Sequence, residues 1–229
     1  MIAAIVIDIE GTTSPTSSVR GGLYGYTRQH LKRWLTDNPG GAADSVIAST
    51  RELAGRPSAD TAEVAEILRG WLDSDAKAEP LKTAQGLVSA QGFRSGALHG
   101  EFFSDVRPAL AAWHDLGIAL HVFSSGSVRN QRDWFAYARG GELASLISGW
   151  FDLAIAGPKR EPASYDTIAE GIAQPPKKIL FLSDHPDELD AAVSAGWSVL
   201  GVARAGEPNP PRPPHRWITS FAEVDPRQL

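Results

Sequence analysis

A chain of 229 residues, 42% apolar and 21% charged, is long and apolar enough for one large domain or a core carrying an insertion. Its formal charge of −5, with no basic run, excludes the positive footprint that a nucleic-acid backbone requires, and the absence of cysteine excludes a disulfide framework, a thiolate nucleophile and a cysteine-held zinc site. No apolar stretch approaches the roughly 18 residues of a bilayer-spanning helix, so a cytoplasmic protein without membrane or nucleic-acid partners is the expectation.

Ile2 to Ile7 is a β-branched run that ends in Asp8-Ile9-Glu10-Gly11-Thr12-Thr13. Continuous apolar character predicts a strand buried on both faces, as in a parallel sheet covered by helices. From about Thr16 to Phe102 the texture changes. Tyr26 to Leu35 and Pro80 to Gln91 read as helices, and Asp60-Thr61-Ala62-Glu63 reads as a capped helix start. Val64, Ile67, Leu68, Trp71 and Leu72 follow it at helical spacing. No strand is predicted there.

Beyond this block, Pro108 to Leu116 predicts a helix with Leu110, Trp113 and Leu116 on one stripe, closed by Gly117. Leu120 to Phe123 predicts a strand before Ser124-Ser125-Gly126-Ser127, and Leu153 to Ile155 another before Gly157-Pro158-Lys159. Ile179 to Leu182 leads into Ser183-Asp184, Glu188 to Ala195 is a helix closed by Gly196, and Ser198 to Val202 is a further strand. Pro208 to Pro214 holds five prolines in seven residues and reads as a stiff surface turn before Trp217, with a ligand for a proline-binding module as the alternative. The fold expected is α/β: a doubly wound parallel sheet from residues 1–15 and 103–229, with an all-helical cap, 16–102, inserted over the active-site edge.

Ligands on such sheets bind beyond the carboxyl ends of the strands, where Asp8, Ser124, Lys159 and Asp184 are expected. Singly, each has an ordinary structural explanation: a solvated strand end, a helix cap or a surface lysine. As an ordered set on one edge they suit phosphoryl transfer. Asp8 can attack phosphorus, Glu10 can protonate the leaving group and then assist water, and Asp184 joins Asp8 in offering hard oxygens to Mg²⁺. The hydroxyls and backbone N–H groups around Ser124 can grip phosphate. His185 reads as an exposed histidine at a helix start rather than a metal ligand.

The order Asp8-x-Glu10-Gly11-Thr12, Ser124, Lys159, Asp184 resembles the four motifs of the haloacid dehalogenase superfamily. Within it the chain looks like the acireductone synthases, the enolase-phosphatases of methionine salvage. The matching motifs are Asp8 to Thr13, Phe123 to Ser127, Gly157 to Glu161 with Ser164-Tyr165, Phe181 to Asp184 followed by Glu188 to Ala192, and Gly92 to Leu98. The likeness implies a superfamily-type (Rossmann-like) core and Mg²⁺-dependent enolisation and dephosphorylation of 2,3-diketo-5-methylthiopentyl 1-phosphate through an aspartyl-phosphate. It also implies site roles: Asp8 as nucleophile and metal ligand, Glu10 as acid/base and ligand, Asp184 as ligand, Ser124 and Ser125 on phosphate, and Lys159 neutralising it. Glu188 would orient a metal-bound water or simply favour the helix dipole. The family's members are expected to be monomers. The chain departs from the pattern at Ser89, His99 and Glu101, which leaves a phosphatase of another small ester as the alternative.

Overall fold

The structure, a computed structural model, describes residues 1–228. Six parallel strands form one sheet: β1 (Ala4–Ile7), β2 (Ala119–Phe123), β3 (Gly149–Phe151), β4 (Ile179–Ser183), β5 (Ser198–Val202) and β6 (Trp217–Ile218), in the order β3-β2-β1-β4-β5-β6. Every residue of β1 and β4 is buried. That burial is why both strands read as unbroken apolar runs rather than alternating ones.

The chain divides into two compact units, one of Met1–Thr16 with the residues from Gly100 onward, the other of Ser17–His99. The division falls at Gly100 because that residue exchanges backbone hydrogen bonds with the end of a core helix, to Tyr137 O (3.0 Å) and from Arg139 N (2.8 Å). The Ser17–His99 unit contains no strand among the described residues. A π-helical stretch, Ser18–Tyr24, leads into α1 (Gly25–Asp37), followed by α2 (Gly41–Leu53), α3 (Thr61–Asp73) and α4 (Glu79–Arg94). Asp60 and Glu63 form the anticipated reciprocal cap of α3, at 2.8 and 2.9 Å. Val64 and Leu68 of that helix pack with Leu31, Trp34, Val46, Leu81 and Val88 in the unit's own core.

In the sheet-bearing unit lie α5 (Val106–Asp115), α6 (Val128–Ala136), α7 (Pro162–Ile172) and α8 (Pro186–Ser194). The stripe of α5 is Val106, Ala109, Leu110 and Trp113. Leu116, expected on it, lies beyond the helix end and is 50% exposed. A second expectation also fails. Leu153 to Ile155 is a turn, and the strand lies earlier, at Gly149–Phe151, paired with His121–Phe123. Asp152 is the cause: its Oδ1 accepts from the N–H groups of Ala154 (3.0 Å) and Ile155 (3.1 Å), which curls the chain out of the sheet. No helix among the described residues is long and apolar enough to cross a membrane.

Candidate active site

The chain runs from β1 to β2 and β3 on one side, then returns to β4, β5 and β6 on the other. The strand order therefore reverses beside β1, and a crevice opens at the carboxyl ends of such strands. Ile7 pairs with Val122 on one side and Leu182 on the other, so Asp8 emerges between the residues that lead to Ser124 and Asp184. After Asp8 the chain coils on itself, with the N–H groups of Thr12, Thr13 and Ser14 all directed to Ile9 O. Trp134 Nε1 holds Ser14 Oγ at 2.9 Å. Glu10, half-buried, lies within this coil. Gly11 (φ +76°) is required there, since a Cβ would overlap the Asp184 carboxylate.

Thr12 joins the two acids. Its hydroxyl accepts from Asp184 N at 2.9 Å and donates to Asp8 Oδ2 at 3.3 Å. Lys159 grips the other oxygen of Asp8. Its Nζ is 2.6 Å from Asp8 Oδ1 and 2.6 Å from Glu188 Oε2, with the lysine side chain only 6% exposed. The loop that carries it is held by hydrogen bonds from Ser164 Oγ to Pro158 O and from Tyr165 Oη to Lys159 O, both 2.7 Å. Gly157 (φ +101°) lies so close to Ser164 Oγ that a Cβ would stand 2.8 Å away. Tyr165 is itself locked edge-on against Phe123, Phe181 and Trp197, at centroid distances of 5.3 to 5.7 Å. The aromatic core thus fixes the position of the Lys159 ammonium.

Burial pushes the Lys159 ammonium toward neutrality, but Asp8 and Glu188 outweigh it and hold its pKa above the ordinary lysine value. Burial, with Asp8 adding to it, raises the Glu188 carboxyl above its usual range despite Lys159. Asp184 is pushed up to about 7, first by burial and then by the Asp8 charge, against a hydrogen bond from Asn209.

Ser124 is buried, and its Oγ accepts from Gly126 N at 3.5 Å; Ser125 is exposed. Both follow β2, whose Val122 pairs with Ile7, the residue before Asp8. Gln131, 1% exposed, supports this turn by donating from Nε2 to Gly126 O (2.7 Å) and Phe151 O (2.8 Å). Ser127 caps α6 by accepting from Asn130 N at 3.3 Å. His185, expected to be exposed, is half-buried, with Nδ1 accepting from Asp187 N and Nε2 2.9 Å from Arg160. Burial, then the Arg160 charge, lowers its pKa. Ser89 faces the interior of the helical unit, 3.4 Å from Thr27 Oγ1, and Glu101 pairs with Arg139 at 2.6 Å. Thr12, Gln131 and Asn209 were not singled out by sequence reasoning; Thr12 alone carried a signal, its place in the Asp8 to Thr13 run.

Among the described residues no three His, Asp or Glu side chains converge as a complete metal-binding group. Asp8 and Asp184 supply two carboxylates, the number that suits Mg²⁺ when substrate phosphate and water fill the remaining positions. The donor set therefore fits a hard divalent cation.

Residues 2–196 match the haloacid dehalogenase-like hydrolase family. The chain is similar to a protein named enolase-phosphatase E1 from Nocardia farcinica, at 68% identity over 98% of this chain and 97% of that one. It is also similar to the protein of that name from Streptomyces avermitilis, at 50% identity over 90% of this chain and 87% of the other. Among solved structures, the UTR4 protein of Saccharomyces cerevisiae superposes with a TM-score of 0.83 at 26% identity, covering 98% of this chain and all of that one (100%).

Proposed function

The chain belongs to the enolase-phosphatase E1 family of haloacid dehalogenase-like hydrolases, and from that premise we propose that it converts 2,3-diketo-5-methylthiopentyl 1-phosphate to the acireductone and phosphate in methionine salvage. The observation that carries this reading is the Lys159 ammonium fixed 2.6 Å from Asp8, itself joined through Thr12 to Asp184 at the reversal of the sheet.

Asp8 attacks phosphorus in line and forms an acyl-phosphate, as its strand-end position and its two fixed oxygens allow. An ammonium has three N–H donors, and Asp8 and Glu188 take two at Lys159. The third is directed to phosphate oxygen, together with the Ser124 and Ser125 turn. Glu10 gives its proton to the departing enolate oxygen and then takes one from the water that hydrolyses the acyl-phosphate, which restores Asp8. Mg²⁺, held by Asp8, Asp184 and the Glu10 carbonyl, would supply charge neutralisation at phosphorus. In this reading the helical unit, Ser17–His99, acts as the cap that selects the substrate's carbon chain, and the enzyme is a cytoplasmic monomer. Ser89, one of the departures from the family pattern, is buried within that unit beside Thr27.

The test follows the diketone phosphate by ultraviolet absorbance for the enediol while measuring phosphate release. Both signals are expected, with the enediol preceding phosphate. Phosphate release from unrelated esters with no reaction of the diketone would overturn the substrate and favour a different small ester.

A further inference from the structure

The Pro208–Pro214 segment, which reads in sequence as a surface turn, is tied to both acidic loops. Ahead of it, Arg204 Nε donates to Thr12 O at 3.0 Å, and the Glu207 carboxylate accepts from Thr16 N at 3.1 Å. Within and after it, Arg212 pairs with Asp187 (2.9 Å) and Asp190, and His215 Nε2 lies 2.7 Å from Asp190 Oδ1. Asp187 and Asp190 belong to α8, the helix that follows Asp184. Between these anchors Asn209 is half-buried, and its Nδ2 donates to Asp184 Oδ2 at 2.8 Å. Pro208, Pro210 and Pro211 restrict the backbone on either side of it, so the amide is presented with little conformational freedom left to lose.

We propose that Asn209 is a positioning residue for the divalent cation: its amide fixes the orientation of the Asp184 carboxylate, which would otherwise rotate between Asp8 and solvent. This rests on the reading of Asp8 and Asp184 as the cation's carboxylates. Gly11 also approaches the Asp184 carboxylate, so closely that a Cβ there would overlap Oδ2. The carboxylate is thus confined by a backbone with no room for a side chain and by a donor carried on a rigid strap. Hydrogen-bonded partners of ligating carboxylates typically contribute about 10–100-fold in metal affinity.

The experiment titrates metal-free protein with Mg²⁺ alone by isothermal calorimetry, comparing wild type with N209A, N209L and D184N. N209L keeps the approximate shape of the amide and removes its hydrogen-bonding groups, so it separates the hydrogen bond from any loosening of the strap seen in N209A. Thermal melts without Mg²⁺ identify any variant that is not folded. Both Asn209 variants are expected to bind Mg²⁺ about 10–100-fold more weakly, and D184N to lose binding. Wild-type or tighter affinity in N209L, with D184N losing it, overturns the inference and leaves the cation site standing. Wild-type affinity in D184N overturns the cation site itself.

Discussion

Replacing Lys159 with methionine keeps the side-chain stem and deletes one charge from between two acids. The lysine lies 2.6 Å from both Asp8 and Glu188 and is 6% exposed, so water cannot take its place without reorganising the site. Breaking a buried pair by removing one partner costs about 3–5 kcal/mol. A second route gives a similar figure. The stranded acids can escape by taking up protons, and neutralising a carboxyl with an ordinary pKa near 4.3 at pH 7 costs about 3.7 kcal/mol. At about 2–4 °C per kcal/mol for a chain of this length, the metal-free variant should melt roughly 6–20 °C below wild type at pH 7. The sign of its pH dependence follows. In the variant Glu188, whose pKa burial and Asp8 already raise, loses the Lys159 charge that holds it down, so the folded state binds a proton before the unfolded one does. The deficit therefore shrinks as pH falls and is largely gone near pH 4. Melting metal-free wild type and K159M by circular dichroism at pH 4.5, 6 and 7.5 reads this directly. A variant melting within about 2 °C of wild type at pH 7.5, or a deficit independent of pH, would refute the electrostatic account of Lys159.

His121, 7% exposed in β2, has its pKa lowered to about 4 by burial. As pH falls from about 6.5 to 4 the unfolded chain takes up a proton that the folded chain refuses, so this residue makes stability fall, by about 2 kcal/mol at pH 5. Urea unfolding of H121N should lose that increment between pH 8 and pH 5, and an unchanged difference between the two pH values would contradict it. Thr12→Val removes the hydroxyl that joins Asp8 to Asp184 while preserving shape. It should lower kcat/KM by about 10–100-fold, as loss of a partner to an acidic ligand does elsewhere, and lower the melting temperature by roughly 2–12 °C, because the buried Asp184 N–H loses its acceptor at a cost of about 1–3 kcal/mol. Wild-type kinetics in T12V would remove Thr12 from the catalytic arrangement.

Much of the sheet was legible because its central strands are buried on both faces and end abruptly in polar residues. Ile2 to Asp8, Leu120 to Ser124 and Ile179 to Asp184 carry that signature unmistakably; β1 and β4 fall inside those runs, and β2 begins one residue ahead of its run, at Ala119. Leu153 to Ile155 carried half of it. Its apolar residues match a strand, but the Asp152 side chain captures the following N–H groups, a competition that apolar pattern does not register. Helix α2 was not anticipated, since Gly40 and Gly41 blur its start and its buried residues include alanine and threonine. In the site, Asp8 and Lys159 are 151 residues apart and were related only by the order of the motifs; their contact is a property of the folded sheet. Glu188 offered two readings, and its pairing with Lys159 belongs to neither. Asn209 gave no sign, because a proline-rich stretch looks the same whether it faces solvent or reaches a carboxylate.

The central claim is that Asp8 forms a bond to phosphorus, and rapid acid quench of a single turnover with ³²P-labelled substrate tests it most directly. The account predicts protein-bound, hydroxylamine-labile label that rises and decays as fast as turnover requires and maps to the peptide containing Asp8. Phosphate released with no labelled protein at any time, or label on a different residue, would contradict it.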